Sequence, residues 1–389
     1  MRVCTKALSC AQQDNFFVVN TDAGVPVRFY FITPEIVRMC AGFTGEFVET
    51  SYSLVTTAWD SVTDEVMGTY RHRVTCEMPT FSETAEAFVL TGSALRVIIH
   101  KAPYQVEIQD ISGTVLHRDC VDLALQEDSN HRRIHTSEIE ANDGFYGFGE
   151  KSGAFNKEQA YMTMCPTDAM GYDPQKTDSL YKHIPFYIKL NKASKIASGY
   201  FYHSTCECDF DMGRRKSNYW HRHSTFRANS GNLDLFFIAG PSVAAVVERY
   251  TDLTGKSMLL PRAALGYLGS SMYYSELDKD CDQSIELFIK TAKNEDLGID
   301  GFQLSSGYCT ADTEAGLKRC VFTWNNERFP DPAAYFRRRP RPGRRSRARC
   351  RSRRPAAPSP RCAAAPARGS GRVPHPRAVP AAAAWDVRR

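Results

Sequence analysis

Three groups of residues have types and spacings that could do chemistry. Gly144, Gly147 and Gly149 lie close enough together to cradle a phosphate, His221 and His223 alternate beside Trp220, and Cys206-x-Cys208 is the only close cysteine pair. Each falls short of the chemistry it invites. The glycines run G-x-x-G-x-G, not G-x-G-x-x-G, and no helix-forming run follows to present its N-terminus to a phosphate. Two alternating histidines read as exposed or hydrogen-bonded strand residues rather than metal ligands. Thirteen scattered cysteines with no C-x-x-C form no framework, and their odd number reads as reduced thiols in a cytosolic protein. No metal and no cofactor is expected.

A second chemistry, binding to polyanions, is invited by the C-terminal segment. From Arg337 to Arg389 there are 17 arginines, no lysine and one acidic residue, Asp386, in a background of Ala, Pro, Ser and Gly. The change from ordinary globular sequence is abrupt at Phe336. Arg, Ala, Pro and Gly are residues of GC-rich codons, so the segment reads as a shifted reading frame. The alternative is a basic, disordered tail that binds nucleic acid or acidic surfaces. Of the formal net charge of +5 the segment supplies +16, which leaves −11 on residues 1–336. The folded body is therefore acidic, and nucleic acid is not its expected partner. No stretch approaches the ~20 apolar residues of a membrane helix. Met1-Arg2-Val3-Cys4-Thr5-Lys6 leads into no apolar h-region, so a cytoplasmic location is expected.

The elements that would position any site change character along the chain. Up to about residue 255 the sequence is β-rich: Ile184, Phe186, Ile188 and Leu190 alternate, as do Leu233, Leu235 and Phe237, and Leu95–Ile99 is a short apolar run. Breaks at Gly, Asp, Asn and Pro predict a large antiparallel sandwich rather than βαβ units. One helix is predicted over Ser242 to Leu253, with Val243, Val246, Val247 and Tyr250 on one face. Near Pro261 the pattern turns. Ala264–Leu268 reads as a buried strand, and a helix follows with Asp280 or Asp282 as N-cap and Ile285, Phe288, Ile289 and Ala292 on its buried face. Gly298 serves as its stop, and Ile299–Leu304 is a second strand. Strand, helix, strand implies a parallel pair with a right-handed crossover.

Several stretches together resemble glycoside hydrolase family 31, the α-glucosidase and α-xylosidase family. Tyr146-Gly147-Phe148-Gly149-Glu150-Lys151 is similar to the family's Y-G-x-G-E segment. Thr167-Asp168-Ala169-Met170-Gly171-Tyr172-Asp173 followed by Leu180-Tyr181-Lys182-His183-Ile184-Pro185-Phe186 is similar to its N-T-D-A-x-x-Y and L-Y-x-x-I-P-F run. Pro261-Arg262-Ala263-Ala264-Leu265-Gly266-Tyr267 and Phe329-Pro330-Asp331-Pro332 resemble its barrel entry and a later F-P-D-P. The order and spacing are the family's over residues 1–336. The resemblance implies a mainly β architecture: an N-terminal galactose-mutarotase-like antiparallel β-sandwich (residues 1–257) and the start of a (β/α)₈ TIM barrel (258–336); residues 337–389 read, by composition alone, as a disordered tail. A barrel takes about 250 residues. The 76 residues from Pro261 to Phe336 hold about two of its eight βα units.

The resemblance also implies retaining α-glycosidase chemistry, which uses two carboxyl groups roughly 5–5.5 Å apart. In the family both are aspartates of later barrel strands, and residues 337–389 offer only Asp386. No catalytic residue is assigned, and the 389-residue chain is expected to be inactive. Four substrate-binding candidates remain. Asp168 matches an aspartate that hydrogen-bonds the sugar in the cleaved subsite; the alternative is a turn residue before Gly171. Ser305 and Ser306 stand where many members carry D-x-D, so the usual glucose specificity is in doubt, because a hydroxyl lacks the charge-assisted bond of a carboxylate. Trp324 either stacks on a sugar or fills a core. The expected partner is an α-linked oligosaccharide or glycoside; oligomeric state, sugar and linkage stay open. The alternatives are a sugar-binding or interaction module using the sandwich alone, and nucleic-acid binding through the tail.

Overall fold

The computed structural model describes residues 1–59 and 71–337. Beyond Arg337, the segment expected to be disordered lies outside the described residues. The chain divides into two compact units, the first Met1–Ser257 and the second beginning at Met258.

The first unit is built from antiparallel sheets of eight, six and five strands. In the eight-stranded sheet the order is Asp143–Gly149, His183–Asn191, Ala197–Tyr202, Leu233–Gly240, Ile36–Ala41, Pro26–Thr33, Phe16–Thr21 and Ala7–Gln13. One face of this sheet packs on the other two. Leu233, Leu235, Phe237, Val27 and Phe29 meet Phe210 and Phe226 from the six-stranded sheet and Leu90, Val97 and Ile99 from the five-stranded one. The opposite face has its own core, in which Phe236, Ile238, Ile36 and Phe201 lie under Val246 and Leu253 of the helix Val243–Thr254.

Two cores explain why Leu233–Gly240 is buried at all eight positions. The alternation of Leu233, Leu235 and Phe237 marks one face; the helix covers the other. Ser242 caps that helix, accepting the Ala245 N–H at 3.3 Å. Its buried stripe differs from the expected one. Val246, Tyr250 and Leu253 face the sheet, whereas Val243 and Val247 are exposed. Each fully buried aliphatic side chain contributes roughly 1.5–3 kcal/mol.

In the second unit Leu268–Ser271 pairs in parallel with Gly301–Leu304, and the helix Cys281–Asn294 lies between them in sequence. Ile285, Ile289 and Ala292 pack on Ile299, Phe302, Phe329 and Tyr335, with Phe288 at the margin. Three expectations are corrected. Ala264–Leu268 is not a buried strand: Arg262–Leu265 is a 3₁₀ turn, Leu265 is exposed, and the strand starts at Leu268. Asp280 holds the N-cap position but its carboxylate caps no backbone N–H; it accepts the Gln283 amide at 3.2 Å. The helix stops at Asn294, before Gly298, where the cap N–H of Glu295 returns to the Thr291 carbonyl.

Candidate functional site

The Y-G-x-G-E-like stretch builds a platform for the segment that carries Asp168. Strand Asp143–Gly149 pairs with His183–Asn191, with a register shift between Gly147 and Gly149. Both glycines have positive φ, +124° and +79°. A Cβ at Gly147 would lie 2.8 Å from the Phe186 carbonyl, and one at Gly149 would lie 2.5 Å from that of Lys182. These positions admit no side chain, which is why the glycines are spaced as a bulge and not as a nucleotide loop. The Glu150 carboxylate then accepts the backbone N–H groups of Tyr181 and Lys182 at 3.1 and 3.2 Å. The Lys151 ammonium reaches Asp178 at 2.6 Å. Ser179 bonds the Cys165 carbonyl, and Thr167 N–H bonds that of Leu180. Glu150 and Lys151, directly after the strand, thus hold the carboxyl-terminal end of residues 165–182, and bonds within the segment tie its other end to that one.

Asp168 sits exposed on this tied segment. Its carboxylate accepts a 2.5 Å hydrogen bond from the Tyr181 hydroxyl. That bond is the first cause of the Tyr181 phenol's raised pKa, since ionisation would set a phenolate beside a carboxylate. The turn toward Gly171 is closed by backbone, Met170 N–H to Asp168 C=O, and not by the carboxylate. Only one of the two carboxylate oxygens takes the tyrosine bond, and Met170, Tyr172 and Tyr181 on the same segment are exposed. The arrangement can accept hydrogen bonds from a polyhydroxylated ligand. Tyr181, part of the quoted motif, was not singled out as a site residue; nothing in its spacing marks its hydroxyl as the partner of Asp168.

Ser305, Ser306 and Trp324 belong to the second unit. Ser305 precedes the 3₁₀ turn Ser306–Cys309, with no side-chain cap bond, directly after the strand Gly301–Leu304, so both serines lie at the carboxyl end of a parallel strand. That is the end at which (β/α) barrels place their sites. Ser306 accepts from Arg319 Nε at 2.7 Å, and Arg319 also faces Glu276 at 3.7 Å. Trp324 is half-buried, its ring within 5.1–5.8 Å of those of Tyr308, Phe329 and Phe336. It packs on the core of that unit.

The histidines singled out in the sequence do not converge. His223 Nδ1 bonds the His221 carbonyl at 2.9 Å. A different set does. The Nε2 atoms of His117 and His135 lie 2.9 and 2.7 Å from Asp119 Oδ1, and their Nδ1 atoms bond the hydroxyls of Tyr200 and Tyr202 at 3.2 and 2.8 Å. Burial acts first to raise the Asp119 carboxyl, but the two histidines hold it well below the ordinary range; burial lowers His117. Among the described residues this is the grouping with ligand atoms close enough for an ion. Every ring nitrogen already has a hydrogen-bond partner, so the network works as a polar tie joining the three sheets of the sandwich.

Comparison with known proteins places this architecture. Residues 26–211 match the family model of the glycosyl hydrolase 31 N-terminal galactose mutarotase-like domain, and residues 257–343 that of the glycosyl hydrolases family 31 TIM-barrel domain. The chain belongs to glycoside hydrolase family 31. It is 31% identical over 255 residues to alpha-glucosidase 2 of Bacillus thermoamyloliquefaciens, covering 64% of this chain and 29% of that protein. It is 28% identical over 210 residues to an alpha-glucosidase of Saccharolobus solfataricus, covering 54% and 27%. The fold superposes with a TM-score of 0.68 on a Flavobacterium johnsoniae GH31 dextranase complexed with glucose, at 20% identity over 84% of this chain and 36% of that one. The chain thus spans about a third or less of the length of these relatives.

Proposed function

We propose that this chain supplies the sandwich and first barrel strands of a retaining α-glycosidase, which hydrolyses or transfers α-linked glycosyl residues. Asp168 hydrogen-bonds the sugar in that enzyme. The observation that carries this role is the exposed carboxylate held by the Tyr181 hydroxyl on a segment tied down by Glu150 and Lys151. A turn residue would spend its carboxylate on backbone N–H groups; Asp168 does not. Ser305 and Ser306 hydrogen-bond sugar hydroxyls from the second strand end. The Trp324 ring, packed among Tyr308, Phe329 and Phe336, offers at most an edge to a ligand.

Retention requires a carboxylate nucleophile and a paired acid/base to form and break the glycosyl-enzyme bond. The resemblance puts both on later barrel strands than the two described here, so the 389-residue chain is expected to turn no substrate over. The test is a chain continued past codon 336 in the alternative reading frame. Asp168→Ala in that enzyme lowers kcat/KM on an aryl α-glucoside by about one to two decades, the cost of losing a hydrogen bond to a charged group (~1.5–3 kcal/mol). An unchanged kcat/KM would return Asp168 to a purely local role.

A further inference from the structure

We propose that the loop Gly213–Arg222 forms, against Glu158 and Gln159, a second saccharide-binding site on the sandwich, taking a neutral pyranose unit of an α-glucan. This rests on the α-glycoside reading above and adds a docking point for the polymer that no catalytic group touches. The loop joins the paired strands Cys208–Asp211 and His223–Ala228. It encloses a cavity of about 510 Å³ lined by Arg215, Lys216, Asn218, Trp220, Glu158 and Gln159, among others. That volume is in the range of small-molecule sites, roughly 300–1,000 Å³. None of its lining residues falls within 165–182, the segment of Asp168.

The loop is held in shape from within. The Asp211 carboxylate accepts the N–H groups of Arg214 and Arg215 at 2.8 and 3.3 Å, and the Ser217 hydroxyl accepts those of Tyr219 and Trp220 at 3.0 and 3.4 Å. The second turn presents two adjacent rings edge to face, 6.2 Å apart, with Tyr219 90% and Trp220 42% exposed. Two adjacent exposed rings give this loop an apolar surface that a ligand can cover. The cavity wall narrows its class. Arg222 is neutralised by Glu158 at 2.6 Å and Arg215 faces Asp211 at 3.7 Å. Among the described residues Lys216 is the lining Lys or Arg without a carboxylate partner. A polyanion gains little from such a wall. The amides of Asn218 and Gln159 instead offer both donors and acceptors, and the Ser217 hydroxyl, which accepts two backbone N–H groups, keeps its proton to donate, which suits vicinal hydroxyls. The indole suits the C–H face of a pyranose.

The test is a titration of the 389-residue chain with maltotetraose and with isomaltotetraose, followed by saturation-transfer NMR and calorimetry. We expect weak, saturable binding of at least one of them. Trp220→Ala weakens it about tenfold or more, and Trp220→Phe retains most of it. Because Trp220 is a surface loop residue, the variants keep the wild-type melting temperature. Three results would overturn the site: affinity unaffected by Trp220→Ala; binding lost in Asp168→Ala but kept in Trp220→Ala; or Trp220-dependent binding of an oligogalacturonide or single-stranded oligonucleotide that displaces the glucan. Residues 337–389 carry a formal charge of +16, an attraction for polyanions that does not involve Trp220, so dependence on Trp220 is the discriminating readout. Failure here leaves the turnover test of Asp168 untouched.

Discussion

The Tyr181 hydroxyl donates a 2.5 Å hydrogen bond to the Asp168 carboxylate, from the far end of a segment anchored by Glu150. Tyr181 therefore acts through Asp168, by fixing which oxygen is free. In the frame-continued enzyme Tyr181→Phe raises KM for an aryl α-glucoside about 3–10-fold and leaves kcat within about twofold, as expected for loss of one neutral-donor bond. A fall in kcat at unchanged KM would instead place Tyr181 in the chemical step.

Glycine at position 149 is demanded by the backbone. With φ at +79° and the Lys182 carbonyl 2.5 Å from any Cβ, Gly149→Ala pushes apart the strands that support residues 165–182. We expect a loss of about 1–3 kcal/mol in urea unfolding of the sandwich, together with weaker protection of the Tyr181 and Lys182 amides in hydrogen exchange. Unchanged protection would separate the bulge from the site.

Among the described residues of the sandwich, Arg38 and Asp234 form a buried ion pair whose titration contributes to its acid limit. Arg38, 1% exposed, donates to both oxygens of Asp234 at 2.7 and 2.9 Å and lies 4.1 Å from the Trp59 ring; His203 adds a 3.1 Å contact. Burial acts to raise the Asp234 carboxyl, but Arg38 and His203 prevail and lower it to about 2. A depressed carboxyl gives stability that is full above its unfolded value of about 3.9 and lost as pH falls through about 2. Circular dichroism should thus record acid destabilisation setting in below about pH 4. Asp234→Asn should weaken that dependence and cost about 3–5 kcal/mol at pH 7, because buried Arg38 loses its bidentate partner and keeps Glu49, at 2.8 Å. A cost under about 1 kcal/mol would contradict this.

Much of this was legible from local pattern. Ser242 at the head of its helix, and Ile285, Ile289 and Ala292 on one face of theirs, follow from capping and 3.6-residue spacing. What was not legible depends on contacts distant in sequence. Leu233–Gly240 is apolar on both faces because a helix covers one of them, and Ala264–Leu268 reads as one strand although Arg262–Leu265 is a 3₁₀ turn with Leu265 exposed and the strand begins only at Leu268. The site divides the same way. Asp168, Ser305, Ser306 and Trp324 could be named from motif position. The Tyr181 partner, the burial of Trp324 among three rings and the His117–Asp119–His135 tie could not, since each is made by residues brought together only in the fold.

The second unit offers a solubility prediction. Among the described residues its parallel ladder has two strands, so each presents an unpaired edge, while Met258, Leu259, Leu265 and Tyr273 are exposed. Such edges and patches promote association. A chain ending at Ser257 should remain monomeric in light scattering at concentrations where the 389-residue chain self-associates, and should unfold in one cooperative transition. A monomeric full chain melting as a single unit would contradict this.

The most direct measurement is turnover of an aryl α-glucoside, α-xyloside and α-galactoside by two proteins side by side: the 389-residue chain, and the chain continued past codon 336 in the alternative frame. The account predicts no turnover above background by the first and saturable turnover of at least one substrate by the second. Saturable turnover by the chain ending at Arg389, abolished by substituting a carboxylate within residues 1–337, would show that the catalytic pair lies inside this sequence and would contradict the account.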